Sequence, residues 1–105
     1  MVRRRRPYRI EYGREAVSHL DRLDARRVAT VLDTVVRQLS HEPTTATRNR
    51  KPLRANAVAP WELRIGDIRV YFDVAEDPWP TVTVRAIGIK IRDKVVIGGE
   101  EVDLQ

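Results

Sequence analysis

One alternating run, broken by a single glycine, constrains this chain more than any other feature of its sequence. Trp61, Leu63 and Ile65 alternate with Glu62 and Arg64, Gly66-Asp67 interrupts, and Ile68, Val70, Phe72 and Val74 then alternate with Arg69, Tyr71 and Asp73. Alternation of this kind marks a strand with one buried face. Glycine as the first of two intervening residues is what a primed hairpin turn requires. The spacing therefore predicts a hairpin pairing Ile65 with Ile68, Arg64 with Arg69, Leu63 with Val70 and Glu62 with Tyr71. Cross-strand partners share a face, so Leu63, Ile65, Ile68, Val70 and Phe72 form an apolar side, and Glu62, Arg64, Arg69 and Tyr71 form the other.

The remaining elements follow from period and punctuation. Tyr8, Ile10 and Tyr12 alternate with Arg9 and Glu11, which predicts a short strand ending at Gly13. Ala16, Val17, Leu20 and Leu23 lie on one helical stripe between Arg14 and Leu23, and Asp24 is placed to cap a second helix. In that second helix Val28, Val31, Leu32, Val35, Val36 and Leu39 recur at steps of three and four. The short connection predicts an antiparallel helical hairpin resting on something apolar. Ser40 to Lys51 has no apolar repeat and reads as a loop running into Lys51-Pro52-Leu53. Thr81 to Lys90 is a third strand rich in Val, Ile and Thr, and Asp93 to Ile97 a fourth before Gly98-Gly99. Strand, helix, helix and a run of antiparallel strands amount to an α+β fold, with the helices on one face of the sheet.

The chain has 105 residues, enough for one core and too few for two. It has no cysteine, which excludes disulfides, thiolate metal sites and a cysteine nucleophile. No apolar run approaches the length of a membrane span, and no apolar stretch follows Arg3-Arg4-Arg5-Arg6, so a cytoplasmic protein without a membrane partner is expected. Of 20 basic residues, 17 are arginine. The net charge of +5 rests mainly on Arg3 to Arg6, because the rest carries 16 basic against 15 acidic residues. Any anionic partner must therefore be recognised by where charges lie rather than by their total.

The predicted register sets Arg64 directly opposite Arg69. Like charges facing each other destabilise a strand pair. One reading is an anion, most naturally a phosphate, held between the two guanidiniums by charge-assisted hydrogen bonds. The other has Glu62 neutralising one arginine while its partner extends into water. Arg85 and Lys90, with Arg92 and Lys94 beyond, would enlarge a positive field on the sheet, and Arg48, Arg50, Lys51 and Arg54 would form its rim. His19 and His41 stand apart, without metal-site spacing, and read as structural or surface histidines. Trp61 and Trp79 read as packing residues, since too few aromatics accompany them for a single-strand binding surface. Glu100, Glu101 and Asp103 form an acidic tail.

Lys51-Pro52-Leu53, then Trp61 to Phe72 with its Leu-Arg-x-Gly-Asp-x-Arg-Val core, then Ile87-Gly88-Ile89-Lys90-Ile91-Arg92-Asp93 together resemble the RelE/ParE toxin superfamily. The resemblance covers residues 8 to 97. Residues 1–6 read as a flexible basic arm, and the resemblance implies a single RelE/ParE-like domain over 7–105. It also implies the toxin of a type II toxin–antitoxin module, with a cognate antitoxin wrapping the domain and blunting its basic face. RelE-like members are mRNA interferases, endoribonucleases that cut messenger RNA on the ribosome and so inhibit translation. They need no metal or other cofactor, because the 2′-hydroxyl attacks the adjacent phosphate and cationic side chains supply the stabilisation. By position Arg64 and Arg69 match family arginines that hold the phosphate, and Lys90 falls where a further basic residue assists. Arg48, Arg50, Lys51, Arg54, Arg85, Arg92 and Lys94 are the candidate RNA contacts. The chain departs from the pattern at Pro60 and Glu62, where lysines are usual, and at Val96, where a tyrosine is often found. The alternatives are a ParE-like inhibitor that binds DNA gyrase, and an inactive relative bound by its antitoxin.

Overall fold

The computed structural model describes residues 6–104, so Arg3, Arg4 and Arg5 of the basic arm lie outside the described residues. The chain runs β1 (Arg9–Tyr12), α1 (Arg14–Leu20), α2 (Ala25–Leu39), β2 (Arg50–Pro52), β3 (Trp61–Ile65), β4 (Ile68–Ala75), β5 (Thr81–Ile91), β6 (Lys94–Ile97) and β7 (Glu100–Val102). The strands form one sheet in the order β2-β3-β4-β5-β6-β7, with β1 also joined to β5. Every pairing is antiparallel except β1 with β5, where Arg9 to Tyr12 run parallel to Thr81 to Val84. This is the expected α+β arrangement, with one parallel pair that period alone does not reveal.

The hairpin forms in the predicted register, from Ile65↔Ile68 through Arg64↔Arg69 and Leu63↔Val70 to Glu62↔Tyr71. Gly66 takes φ +60°, which glycine adopts without a Cβ penalty, and the positive angle at the first loop position is that of a type II′ turn. Leu63, Ile68, Val70 and Phe72 go under the helices with Val82, Val84 and Ile87, meeting Ala16, Val31, Val35 and Leu39 in the main core. Trp61 closes one edge of that core, stacked on Phe72 at 6.1 Å between ring centres.

The helices depart slightly from expectation. Asp24 caps α2 as predicted, its Oδ1 accepting from the Arg27 N–H at 2.8 Å, a bond worth about 1 kcal/mol. The first helix stops at Leu20 instead of Leu23. Leu23 lies in the turn, its N–H donating to the Leu20 carbonyl, yet it still packs on the core. The α2 stripe is wider than the sheet can cover: Val31, Val35 and Leu39 are fully buried while Leu32 and Val36 face out at 40% and 53% exposure.

Two strands escaped the sequence reading. β2 lies inside the stretch read as a loop, where it pairs Arg50, Lys51 and Pro52 with Leu63, Glu62 and Trp61. Three residues show no period, and a proline is tolerated only because this is a sheet edge. β7 occupies the acidic tail, Val96 pairing with Glu101 and Ile97 with Glu100. Trp79 is also placed differently, half exposed beneath the Arg9 guanidinium, which stands 5.0 Å from its ring centre, rather than packed.

Two close contacts along β5 fix its neighbours, β6 and α1. A Cβ added at Gly88 would come within 2.8 Å of Ile97 Cγ1 and 2.9 Å of the Val96 carbonyl oxygen, so β6 lies closer than a side chain would permit. Gly88→Ala is expected to lower stability by about 1–3 kcal/mol, read as a reduced urea midpoint. His19 reaches from α1 to accept the Ile87 N–H at its Nδ1, 3.1 Å away. Burial lowers its pKa, outweighing Glu15, while Arg22 adds to the lowering. The fold therefore excludes a proton that the unfolded chain accepts near pH 6.5. Stability from this bond is complete above that value and drains as the pH falls below it. Urea midpoints at pH 7.5 and 5.5 should differ more for the wild type than for His19→Gln.

Candidate functional site

The second face of the sheet is more enclosed than a basic platform. Tyr71, Ala86 and Ala59 form a small second core there, covered by Leu53, Val58, Val95, Ile97 and Leu104. The loop between β2 and β3 supplies part of this cover, and Asn56 shapes it. The Asn56 Oδ1 accepts from the Val58 and Ala59 N–H groups at 2.7 and 3.0 Å, while its Nδ2 donates to the Arg54 carbonyl at 2.7 Å. Leu104 closes from the opposite side. Between the two covers lies a cavity of about 330 Å³, its floor carrying Glu62 and Tyr71 and its walls Lys51, Arg54, Asp93 and Asp103.

The two facing arginines take different roles. Arg64 is exposed and its Nε donates to Glu62 Oε1 at 3.2 Å. Arg69 is buried, and its Nη1 donates to the carbonyls of Gly66 at 2.7 Å and Ile68 at 3.1 Å. Like-charge repulsion across the pair is thus relieved from both sides, by a carboxylate on β3 and by turn carbonyls at the end of β4. The expected open clamp between two free guanidiniums does not form. Its physical reason is the primed turn, which brings two carbonyls within reach of Arg69, where they satisfy a buried cation better than distant water can.

Glu62 is the anionic centre of the arrangement. Only 6% exposed, it faces the Arg64 Nε and stands 4.0 Å from the Lys51 Nζ on the neighbouring strand. The Tyr71 hydroxyl is enclosed beside the Glu62 carboxylate. Burial, and then the Glu62 carboxylate, push the phenol well above its ordinary pKa, with Arg69 and Arg64 opposing. Tyr71 therefore stays protonated at any physiological pH, its hydroxyl turned to the Glu62 carboxylate. Tyr12, on β1, is likewise pushed up, to about 12, by burial alone.

The other sequence candidates divide by face and burial. Lys90 is exposed and shares the cavity face, since it alternates with Gly88, which pairs with Arg69. Its own N–H donates to the Asp67 carbonyl at 2.7 Å, tying β5 to the hairpin turn. Lys51 and Arg54 line the cavity. Arg48 is exposed in the turn before β2, and Arg92 is exposed at φ +60° between β5 and β6. Arg85 is the extra residue at an irregularity where Tyr71 pairs with Ala86 but Phe72 with Val84, and its guanidinium stands 3.7 Å from Asp73 Oδ2. Lys94 alternates with Val95 and so points to the opposite face, paired with Glu101 at 3.3 Å. Arg50, expected at the rim, is buried. Its Nη1 donates to the carbonyls of Gln38 and Glu42 at 2.9 and 3.0 Å, fastening the end of α2 to the sheet edge. Sequence reasoning named Glu62 only as a counterion for one arginine, because its second cation, Lys51, becomes its neighbour only through β2.

No family model matches the chain, and no curated protein matches it. A solved structure does. A chain of the toxin–antitoxin complex RelBE2 from Mycobacterium tuberculosis superposes with a TM-score of 0.69 at 26% identity, over 83% of this chain and 95% of that one.

The division between anchoring and presented arginines is testable by denaturation. Arg50→Ala should cost about 2–4 kcal/mol by stranding two carbonyls and opening a buried site. Arg64→Ala should cost about 1 kcal/mol or less, because its partnered guanidinium is exposed. Equal losses would contradict the assignment.

Proposed function

We propose that this chain, RelE-like in fold, is the toxin of a toxin–antitoxin module and acts as a metal-independent endoribonuclease on messenger RNA at the ribosome. The observation that carries the reading is the cavity on the second sheet face. A buried carboxylate and a protonated phenol form its floor, the cations Lys51 and Arg54 stand on the β2 side, and the carboxylates Asp93 and Asp103 stand opposite. The likeness to a chain of a toxin–antitoxin complex supports the toxin part of the reading and gives it an antitoxin as partner.

In-line attack of a 2′-hydroxyl on the neighbouring phosphorus concentrates negative charge on the non-bridging oxygens. Fixed cations at that point lower the barrier without metal. Lys51 and Arg54 line the cavity, Arg64 is joined to its floor through Glu62, and Lys90 extends the same face. In this reading Arg64 and Lys51 hold the scissile phosphate, Lys90 assists in neutralising it, and Arg54, Arg48 and Arg92 follow the flanking backbone. Arg69 contributes by holding the turn that presents Arg64, and Arg50 by fixing the edge strand that carries Lys51. Arg85 and Lys94, each paired with a carboxylate, extend the positive field less.

The test is a map of new RNA 5′ ends in bacterial cells within minutes of induction, wild type beside Arg64→Ala and Lys51→Ala. New ends inside translated codons that fall at least tenfold in either variant are expected. Arrested growth with unchanged RNA would transfer the assignment to gyrase inhibition, and unimpaired growth would favour an inactive relative held by its antitoxin.

A further inference from the structure

We infer that Glu62 is the general base of the cavity on the second sheet face, taking the proton of the attacking 2′-hydroxyl. The inference rests on the nuclease reading and deepens it by naming the group that starts the reaction. The cavity floor carries two side chains whose oxygens are candidates to accept a proton, Glu62 and Tyr71. Tyr71 is excluded as an acceptor because its phenol stays protonated beside the Glu62 carboxylate. Lys51, Arg54 and Arg64 are cations and have no lone pair to offer in their charged state. Asp93 and Asp103 line the wall from exposed positions, where water competes for their oxygens. Neither histidine lines this cavity: His19 has its Nδ1 committed to the Ile87 N–H, and His41 is exposed beyond the end of α2.

Glu62 also has what a base needs in orientation. Its Oε1 is held by the Arg64 Nε at 3.2 Å, with Lys51 4.0 Å away, and the side chain is 7% exposed. A carboxylate fixed on one oxygen presents the other in a defined direction, which is the geometric requirement for accepting a proton in the transition state. The same cations that fix it are those placed to meet the phosphate, so base and charge stabiliser are delivered together.

The 2′-hydroxyl proton passes to Glu62 as the O2′–P bond forms, the P–O5′ bond breaks, and the departing 5′-oxygen takes a proton from solvent. Glu62 then returns its proton to solvent. The products are a 2′,3′-cyclic phosphate and a 5′-hydroxyl, with no oxidant or metal consumed.

The decisive experiment uses ribosomes programmed with a defined messenger RNA and full-length protein. It compares wild type, Glu62→Gln and Glu62→Ala, with the binding of a 2′-deoxy substituted messenger measured alongside. A loss of cleavage of at least about 100-fold in Glu62→Gln, unchanged 2′-deoxy binding, and partial recovery of Glu62→Ala by added formate are expected. Cleavage by Glu62→Gln within a few-fold of wild type would overturn the base assignment and leave the nuclease reading intact. Loss of binding in step with cleavage would also overturn it, making Glu62 a structural partner of Arg64. Absence of cleavage by the wild type would remove the nuclease reading itself, and the base with it.

Discussion

Everything in this structure hangs on β5 having two different neighbours along one edge. Its other edge pairs with β4 from Thr81 to Ile89, while the shared edge holds β1 over Thr81 to Val84 and β6 over Gly88 to Ile91. Two short strands thus complete hydrogen bonding that neither alone could satisfy. The first half of β5 is locked to the N-terminus and to the helices, the second half to the hairpin that covers the cavity. Arg85 falls where the two halves meet, and the irregularity there resets the faces so that Val84 points into the main core while Ala86 points toward Tyr71.

The polar face illustrates how a sheet with a second, smaller core can still present charge. Tyr71 and the alanines exclude water at the centre, and the ionic groups are arranged around them. Glu62 and Arg69 are buried but each is answered, one by guanidinium and ammonium, the other by backbone carbonyls. Removing one partner of such a set strands the other in a low-dielectric setting. The cavity's chemistry and the hairpin's stability are therefore linked through the same few side chains.

Much of this was legible in the sequence. The hairpin register, both helices, the Asp24 cap and the apolar face follow from period and turn chemistry, which are local. What was hidden depends on partners distant in the chain. Nothing in Arg9 to Tyr12 announces a parallel partner at Thr81, and nothing in Arg50 announces the carbonyls of Gln38 and Glu42. The register placed Arg64 across from Arg69 correctly, yet the direction each guanidinium takes is decided by acceptors that only the folded turn assembles. The covered state of Tyr71 was hidden for the same reason: its lid comes from Leu53, Val58 and Leu104, residues in segments without periodicity.

The parallel pairing of β1 with β5 carries a kinetic consequence. Arg9 meets Thr81 only after a separation of about 70 residues, and contacts so far apart in the chain pay their loop-closure entropy before any bond repays it. While the chain is being synthesised, β1 has no partner until Thr81 to Val84 have left the ribosome. The β3–β4 hairpin and the helices form earlier from local contacts, but the cavity needs β6, β7 and Leu104, which come last. Assembly of the charged pocket therefore waits for residues 94–104, when the hairpin and the helices already stand ready to receive them.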